Sequence, residues 1–371
     1  MRKQVLMAAT LAAMAPLAMA QATAPAGAEA PAYDAVEGKK AVAKLADEIE
    51  KNFVFPDTSK RYAAALRTKL AAGGYDGAAD AYALAQAVTA DLQAVAPDGH
   101  LAMHAPGGPQ PQRVGQPSTQ QQVGNVPLPP PPMEKAGWIA PGIAFVRFNG
   151  FYGQPETLKA FAAFLDGHAG AKALIIDART HRGGGLEEMD ILFPRIFDKA
   201  QSVMVMDTRA SVAEANGPLP FRSLVKVDAP AELYRNEHRV TPSSPRSPWA
   251  KTKIYYLTSP RTGSAAEHLA SSFKGTKRAT LIGETTAGAG HYGGTLPLGG
   301  GYSAFIPFGR SYFPGGDGWE GTGVAPDVKV APERALVEAL TREGVVPAEA
   351  EALSDKYMPS EPMVRRKPRK P

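Results

Sequence analysis

Cysteine is absent from all 371 residues, so neither a thiol nucleophile nor a disulfide can enter the chemistry, and stability must come from packing. No uninterrupted apolar run reaches the roughly 20 residues needed to span a bilayer. His-Glu-x-x-His and Gly-x-x-x-x-Gly-Lys-Ser/Thr are both missing, and the seven histidines are scattered. No metal, cofactor or phosphate loop is therefore expected. Excess charge is also scarce: the formal net charge is +5, and Arg2 and Lys3 supply two of those charges. Much of the remainder lies in Arg365, Arg366, Lys367, Arg369 and Lys370, where spaced prolines suit a solvated end, so a nucleic-acid partner is not indicated.

Two excesses organise the rest. Glycine and proline, at 37 and 34 residues, exceed ordinary usage and mark many turns. At the N-terminus Arg2 and Lys3 precede an apolar stretch from Val5 to Leu17, and Ala18-Met19-Ala20 has the small-x-small form of a cleavage site. Residues 1–20 are expected to be a secretory signal, which puts the mature chain across the inner membrane, in the periplasm, with no transmembrane anchor.

Over 21–105 the spacing predicts a small helical domain: Val42, Leu45, Ile49 and Phe53 recur at helical intervals, as do Tyr62, Leu66 and Leu70, then Leu84, Val88, Leu92 and Val95. Residues 106–135 are rich in Pro, Gln and Gly and read as a loop or linker. From 136 to 352 strands alternate with helices. Strands are expected at Ile143–Phe148, Ala173–Asp177, Ile254–Leu257 and Ala279–Ile282, and helices at Glu156–Leu165, Leu186–Phe197, Ala265–Phe273 and Ala331–Leu340. Gly294 to Pro307 suits antiparallel hairpins, Met206 to Pro248 reads as a long loop over a cleft, and 353–371 reads as a basic, Pro-rich tail. The fold class is mixed α/β.

Ser264 stands between a predicted strand and a predicted helix, in Thr-Gly-Ser264-Ala-Ala-Glu267. A helix N-terminus favours an alkoxide, and the N–H of Ala265 can face an oxyanion, although Ser-x-x-Glu is also a common capping box. The strand ending at Asp177 runs into Gly183-Gly184-Gly185. Consecutive glycines let a backbone approach a substrate, which suits Gly184 to an oxyanion hole and Gly183 and Gly185 to a cleft wall; a tight turn would use the same residues.

Taken in order, Leu-Ile-Ile-Asp-Ala-Arg with Gly-Gly-Gly, Thr-Gly-Ser-Ala-Ala-Glu, Gly283-Glu284-Thr285-Thr286 and Trp319-Glu320-Gly-Thr-Gly323-Val324-Ala-Pro326-Asp327 resemble the signature of the tail-specific (C-terminal processing) serine proteases. Asn52-Phe-Val-Phe-Pro56-Asp57 and Asp98-Gly99-His100-Leu101 resemble the branch containing interphotoreceptor retinoid-binding protein and the tricorn core. The resemblance implies a spiral β/α core similar to Clp protease and crotonase behind the helical domain, and peptide-bond cleavage by an activated serine. Many members carry a PDZ domain where this chain has only the Pro/Gln interval, so PDZ-type recognition is not expected.

The family's serine–lysine dyad is also not expected, because Thr285 to Gly294 holds no lysine. A histidine base is the alternative. The resemblance favours His100, steadied by Glu320, with His291 and Glu284 as cleft residues and His291 as the second candidate base. The reading is an exported serine peptidase acting on a peptide or protein. Its rivals are a non-catalytic binder of an extended peptide or apolar small molecule on the same fold, and an envelope protein touching anionic surfaces through its basic tail.

Overall fold

The computed structural model describes residues 33–107, 130–244 and 247–364. The expected signal segment, most of the Pro/Gln interval and the basic tail from Arg365 lie outside the described residues. No described helix is long and apolar enough to cross a membrane.

Three helices open the described chain: α1 (Ala35–Asn52), α2 (Pro56–Ala71) and α3 (Ala81–Val95). Local chemistry sets their starts. The Asp34 carboxylate accepts the N–H groups of Val36 and Glu37, Asp80 accepts that of Ala83, and Pro56 occupies the first turn of α2, where a missing N–H costs nothing. Their apolar faces do not close on one another alone. Val42, Leu45, Tyr62, Leu84 and Leu92 share one buried cluster with Leu298, Tyr302, Ala304 and Ile306 from much later in the chain.

Beyond them come β1 (Ala102–His104), β2 (Met133–Ala140), β3 (Ile143–Phe148), α4 (Pro155–Gly167), β4 (Ala173–Asp177), α5 (Glu187–Ile196), β5 (Gln201–Arg209), α6 (Ala210–Asn216), β6 (Leu224–Val227), β7 (Leu233–Val240), β8 (Lys253–Thr258), α7 (Ala265–Thr276), β9 (Thr280–Gly283), β10 (His291–Gly299), β11 (Tyr302–Tyr312), β12 (Val328–Lys329), α8 (Ala335–Arg342) and α9 (Pro347–Lys356). One sheet runs β12-β9-β8-β4-β3-β2, with β3, β4, β8, β9 and β12 parallel and β2 an antiparallel edge. Residues of β3 and β4 are buried without exception, as befits strands covered on both faces. Their alternation divides two layers. Val146, Phe148, Leu174 and Ile176 face α4, α5 and α7, while Phe145 and Ile175 face α8.

The second sheet is antiparallel, ordered β1-β11-β5-β7-β6, with β10 paired along β11. Here the expected long loop is corrected: 206–248 holds the end of β5, and α6, β6 and β7. Its polar residues hid the strands. Asp207 is buried because Arg235 and Arg310 bind its carboxylate, at 2.6 and 3.1 Å. The chain also continues past the expected closing helix into α9.

Candidate active site

In the parallel sheet β4 and β8 are neighbours, paired from Ala173/Lys253 to Asp177/Leu257. Their C-terminal ends therefore open side by side, the usual place for a site in such a sheet. The glycine run follows β4, and Ser264 follows β8.

The turn after β4 is anchored from below. Asp177, wholly buried, is bonded by Arg147 Nε and by Arg179 Nε and Nη2, each at 2.9 Å. Burial alone would raise its pKa, but the two guanidiniums hold it down at about 2. This residue fixes the strand end. On this base Gly183 and Gly184 take φ of 111° and 131°. A side chain is excluded at both: a Cβ on Gly183 would lie 2.6 Å from Ser264 Cβ, and one on Gly184 would lie 1.8 Å from the Phe151 carbonyl oxygen. The N–H of Gly183 donates to His181 Nδ1 and that of Gly185 to Phe151 O. That of Gly184 has no hydrogen bond among the described residues.

Ser264 caps α7 with φ 55° and ψ −119°, a conformation that costs a non-glycine residue on the order of 1–3 kcal/mol and is characteristic of functional sites. Glu267 holds it there. Its fully buried carboxylate accepts the N–H of Ser264 at 2.8 Å, the Thr286 hydroxyl at 2.6 Å, and the N–H groups of Gly288 and Ala289 at 2.6 and 2.8 Å. Burial pushes this carboxyl up, and these four donors pull in the other direction. The capping-box glutamate thus ties the serine turn to the loop before β10. In the sequence Glu267 reads only as a cap.

That loop leads into His291, the first residue of β10. His291 and Ser264 line one narrow cleft of about 30 Å³ together with Gly184, Ala265, His268 and Trp319. The volume is that of about one water molecule. The Nδ1 of His291 is 2.7 Å from Asp98 Oδ2, and its ring meets Phe53 and Phe55 edge-on. The other oxygen of Asp98 accepts the N–H groups of His100 and Leu101, at 2.8 and 2.9 Å. Burial raises the Asp98 pKa, but His291 and these two donors more than offset it, and the carboxyl sits below its ordinary value.

The other expected site residues fall as follows. His100 is not among the residues lining the Ser264 cleft; its ring stacks on Phe305 with centroids 5.2 Å apart. Glu320 reaches the histidine loop through backbone, accepting the N–H groups of Gly290 and His291 at 2.6 and 2.8 Å and that of Gly99, while its Oε2 is 3.8 Å from His291 Nδ1. Glu284 does not line the cleft either; its carbonyl accepts the Thr258 hydroxyl. Gly184 and Ala265 lie beside Ser264 in the cleft wall. Of the two candidate bases, His291 shares the cleft with the serine and His100 does not. The Asp98–His291 pair was missed because 192 positions separate its members (291 − 98, less one) and no local pattern joins them.

Asp98, His291 and Glu320 each bring a ligand-type atom within 4.8 Å of the others. Every carboxylate oxygen of this trio already accepts at least one N–H, so the donor set is arranged to fix a ring and a loop.

The description "Peptidase family S41" matches residues 142–330. The chain belongs to peptidase family S41. Residues 36–137 match the "N-terminal domain of Peptidase_S41 in eukaryotic IRBP", so the helical part of this S41 chain is also similar to a domain of that family. A curated relative, the chloroplastic C-terminal processing peptidase of Tetradesmus obliquus, is 27% identical over 241 residues, which is 63% of this chain and 46% of that relative. The S41 chain thus spans about half the length of the relative it matches. Among solved structures, the photosystem II D1 C-terminal processing protease is similar with a TM-score of 0.53 at 14% identity, covering 85% of this chain and 98% of that one. A structure described as a putative peptidase of Parabacteroides merdae is also similar, with a TM-score of 0.52 at 15% identity over 84% and 97% of the two chains.

Proposed function

We propose that this chain is an exported serine peptidase in which Ser264 is the nucleophile, His291 the general base and Asp98 the group that orients and supports the imidazole. The single observation carrying this reading is that Ser264, in a strained conformation at a helix N-terminus, shares its cleft with a histidine whose Nδ1 is bonded to a buried carboxylate.

With Nδ1–H donated to Asp98, the Nε2 of His291 is the basic nitrogen and takes the Ser264 proton as Oγ attacks a peptide carbonyl. The oxyanion that forms is met by the N–H groups of Gly184 and Ala265. Neither donates a hydrogen bond to another described group, and both residues border the cleft, which supports that role. The imidazolium then protonates the leaving amine, and water repeats the sequence on the acyl-serine. In this reading His100, which lies outside the cleft lining, takes no proton from Ser264, and Glu320 holds the backbone of Gly99, Gly290 and His291. Export is supported by the signal-like composition of residues 1–20.

The test is labelling of the purified protein with a fluorophosphonate probe. Label on Ser264 that disappears in Ser264→Ala and His291→Ala but persists in His100→Ala is the expected result. Label independent of His291 would overturn the assignment of the base, and no label with no peptide hydrolysis would favour the binding-protein alternative.

A further inference from the structure

Phe221, from the segment between α6 and β6, lines the Ser264 cleft on one side and a second, larger cavity of about 450 Å³ on the other. The two spaces are joined by chemistry as well. His268, one turn after Ser264 in α7, lines the cleft, and its Nε2 is 2.9 Å from Nδ1 of His238, which lines the larger cavity.

The polar groups facing that cavity come from three elements. From β7, His238 is fully buried, and its Nε2 makes no hydrogen bond and lies 3.8 Å from Asp190 Oδ1. Burial keeps this ring neutral, lowering its pKa to about 3. From α5 come Asp190, which accepts the Ser223 hydroxyl, and Glu187, whose Oε2 is buried without a partner. Glu187 folds back over the glycine run: a Cβ on Gly185 would fall 2.1 Å from that oxygen. Burial pushes both carboxyls upward; at Asp190 the Ser223 hydroxyl, the Arg222 N–H and the Arg222 charge pull the other way without cancelling it, and at Glu187 no cation opposes it. Two cations, Arg222 and Arg239, also border the cavity, but both are exposed, and Arg239 is paired with Glu237 at 2.8 Å. Solvent screens charge at such a rim far more than in the interior. The inner wall therefore carries two carboxylates and a neutral imidazole, set among Phe193, Phe221 and Val240.

We infer that this cavity is a subsite for a cationic side chain, lysine or arginine, of a peptide lying across Ser264, with Glu187 and Asp190 receiving the cation and the apolar wall its methylene stem. The inference rests on the peptidase reading of Ser264 and names its substrate class. A lysine or arginine stem can lie along apolar surface while its head finds acceptors. An acidic side chain would meet like charge. A purely apolar one would fill the space but gain nothing from the two carboxyls of the wall.

The test uses full-length protein and fluorescein-labelled, amidated pentapeptides of alanine with lysine, norleucine or glutamate at the centre. Binding is read by anisotropy on Ser264→Ala, so that it does not depend on turnover, and hydrolysis of the same peptides is read on the unaltered protein. Lysine is expected to bind about tenfold more tightly than norleucine, with glutamate weakest. Glu187→Gln with Asp190→Asn, in the Ser264→Ala background, is expected to erase the lysine preference while leaving norleucine binding in place. That retained binding also reports a folded variant; should it be lost, Glu187→Gln alone carries the comparison. Equal binding of lysine and norleucine, no binding of any peptide, or a preference that survives the substitutions overturns the subsite. A lysine preference in binding without hydrolysis of any peptide would instead overturn the peptidase reading and leave the subsite standing.

Discussion

Asp98→Asn is the most informative substitution, because it preserves shape and removes one charge. Oδ1 of Asp98 accepts two backbone N–H groups, from His100 and Leu101, while Oδ2 meets His291 Nδ1 at 2.7 Å. An amide offers one acceptor and one donor group. Two backbone donors outbid one ring nitrogen, so the asparagine oxygen stays with the loop and its NH₂ turns to His291. The ring must then accept at Nδ1 and carry its proton at Nε2, where it can no longer take one from Ser264. A wrong tautomer in a serine–histidine–aspartate site costs about 10⁴ in kcat in a well-studied protease. We expect a fall in kcat/KM of about 10³ to 10⁴ here, or roughly 4 to 5.5 kcal/mol at 1.36 kcal/mol per decade. Because both loop bonds survive, the urea midpoint should move little. The assay is hydrolysis of a quenched fluorescent peptide at pH 7.5, with the rate of fluorophosphonate labelling as a second readout. Activity of Asp98→Asn within tenfold of the unaltered protein would falsify the tautomer argument, as would an equal loss in His100→Ala.

Three further outcomes follow from the same contacts. Glu267→Gln places an NH₂ where two donors must be accepted, and we expect it to cost about 2 to 3 kcal/mol in urea unfolding and to slow Ser264 labelling even where the protein remains folded. Arg179→Ala removes one of the two cations on wholly buried Asp177 and should destabilise by about 3 to 5 kcal/mol, measured by thermal or urea unfolding; a loss below about 1 kcal/mol would mean that Arg147 suffices. Glu188, with no exposure, has its carboxyl pushed up to about 7 by burial, so between about pH 4.3 and 7 the native state holds a proton that the unfolded chain has released. Its contribution is complete below that window and is lost as pH rises through it, and Glu188→Gln should reduce the stability lost between pH 4 and pH 8 by about 3 kcal/mol. Parallel pH profiles for the two proteins would contradict this.

Much of the parallel sheet was legible in the sequence because β3 and β4 are buried on both faces and read as unbroken apolar runs. The three N-terminal helices were legible through their spacing, although nothing local told that their faces would close on β10 and β11. In β7, by contrast, the buried Asn236 and His238 interrupt any alternating pattern; those positions are tolerable only because of neighbours far along the chain. The helix α9 buries little beyond Ala350 and Ser354 and so shows no stripe. Ser264 and the glycine run were legible because each needs a particular backbone conformation, and such needs leave a local trace. His291 was legible only as the second of two candidate bases, and its pairing with Asp98 was not legible at all, since a hydrogen bond between distant residues has no signature in either neighbourhood.

The first three helices bring more than packing to this molecule, for the segment leaving α3 delivers the carboxylate that orients His291, and Phe53 and Phe55 wall in the same ring. On the proposed assignment, hydrolytic competence is conditional on a seam between early and late parts of the chain. On that assignment a partly folded copy, with the sheet formed but the seam open, would present an unarmed hydroxyl and spare its neighbours. Modest heating or dilute denaturant that loosens the seam would act as a fuse, silencing the protein before its main scaffold melts.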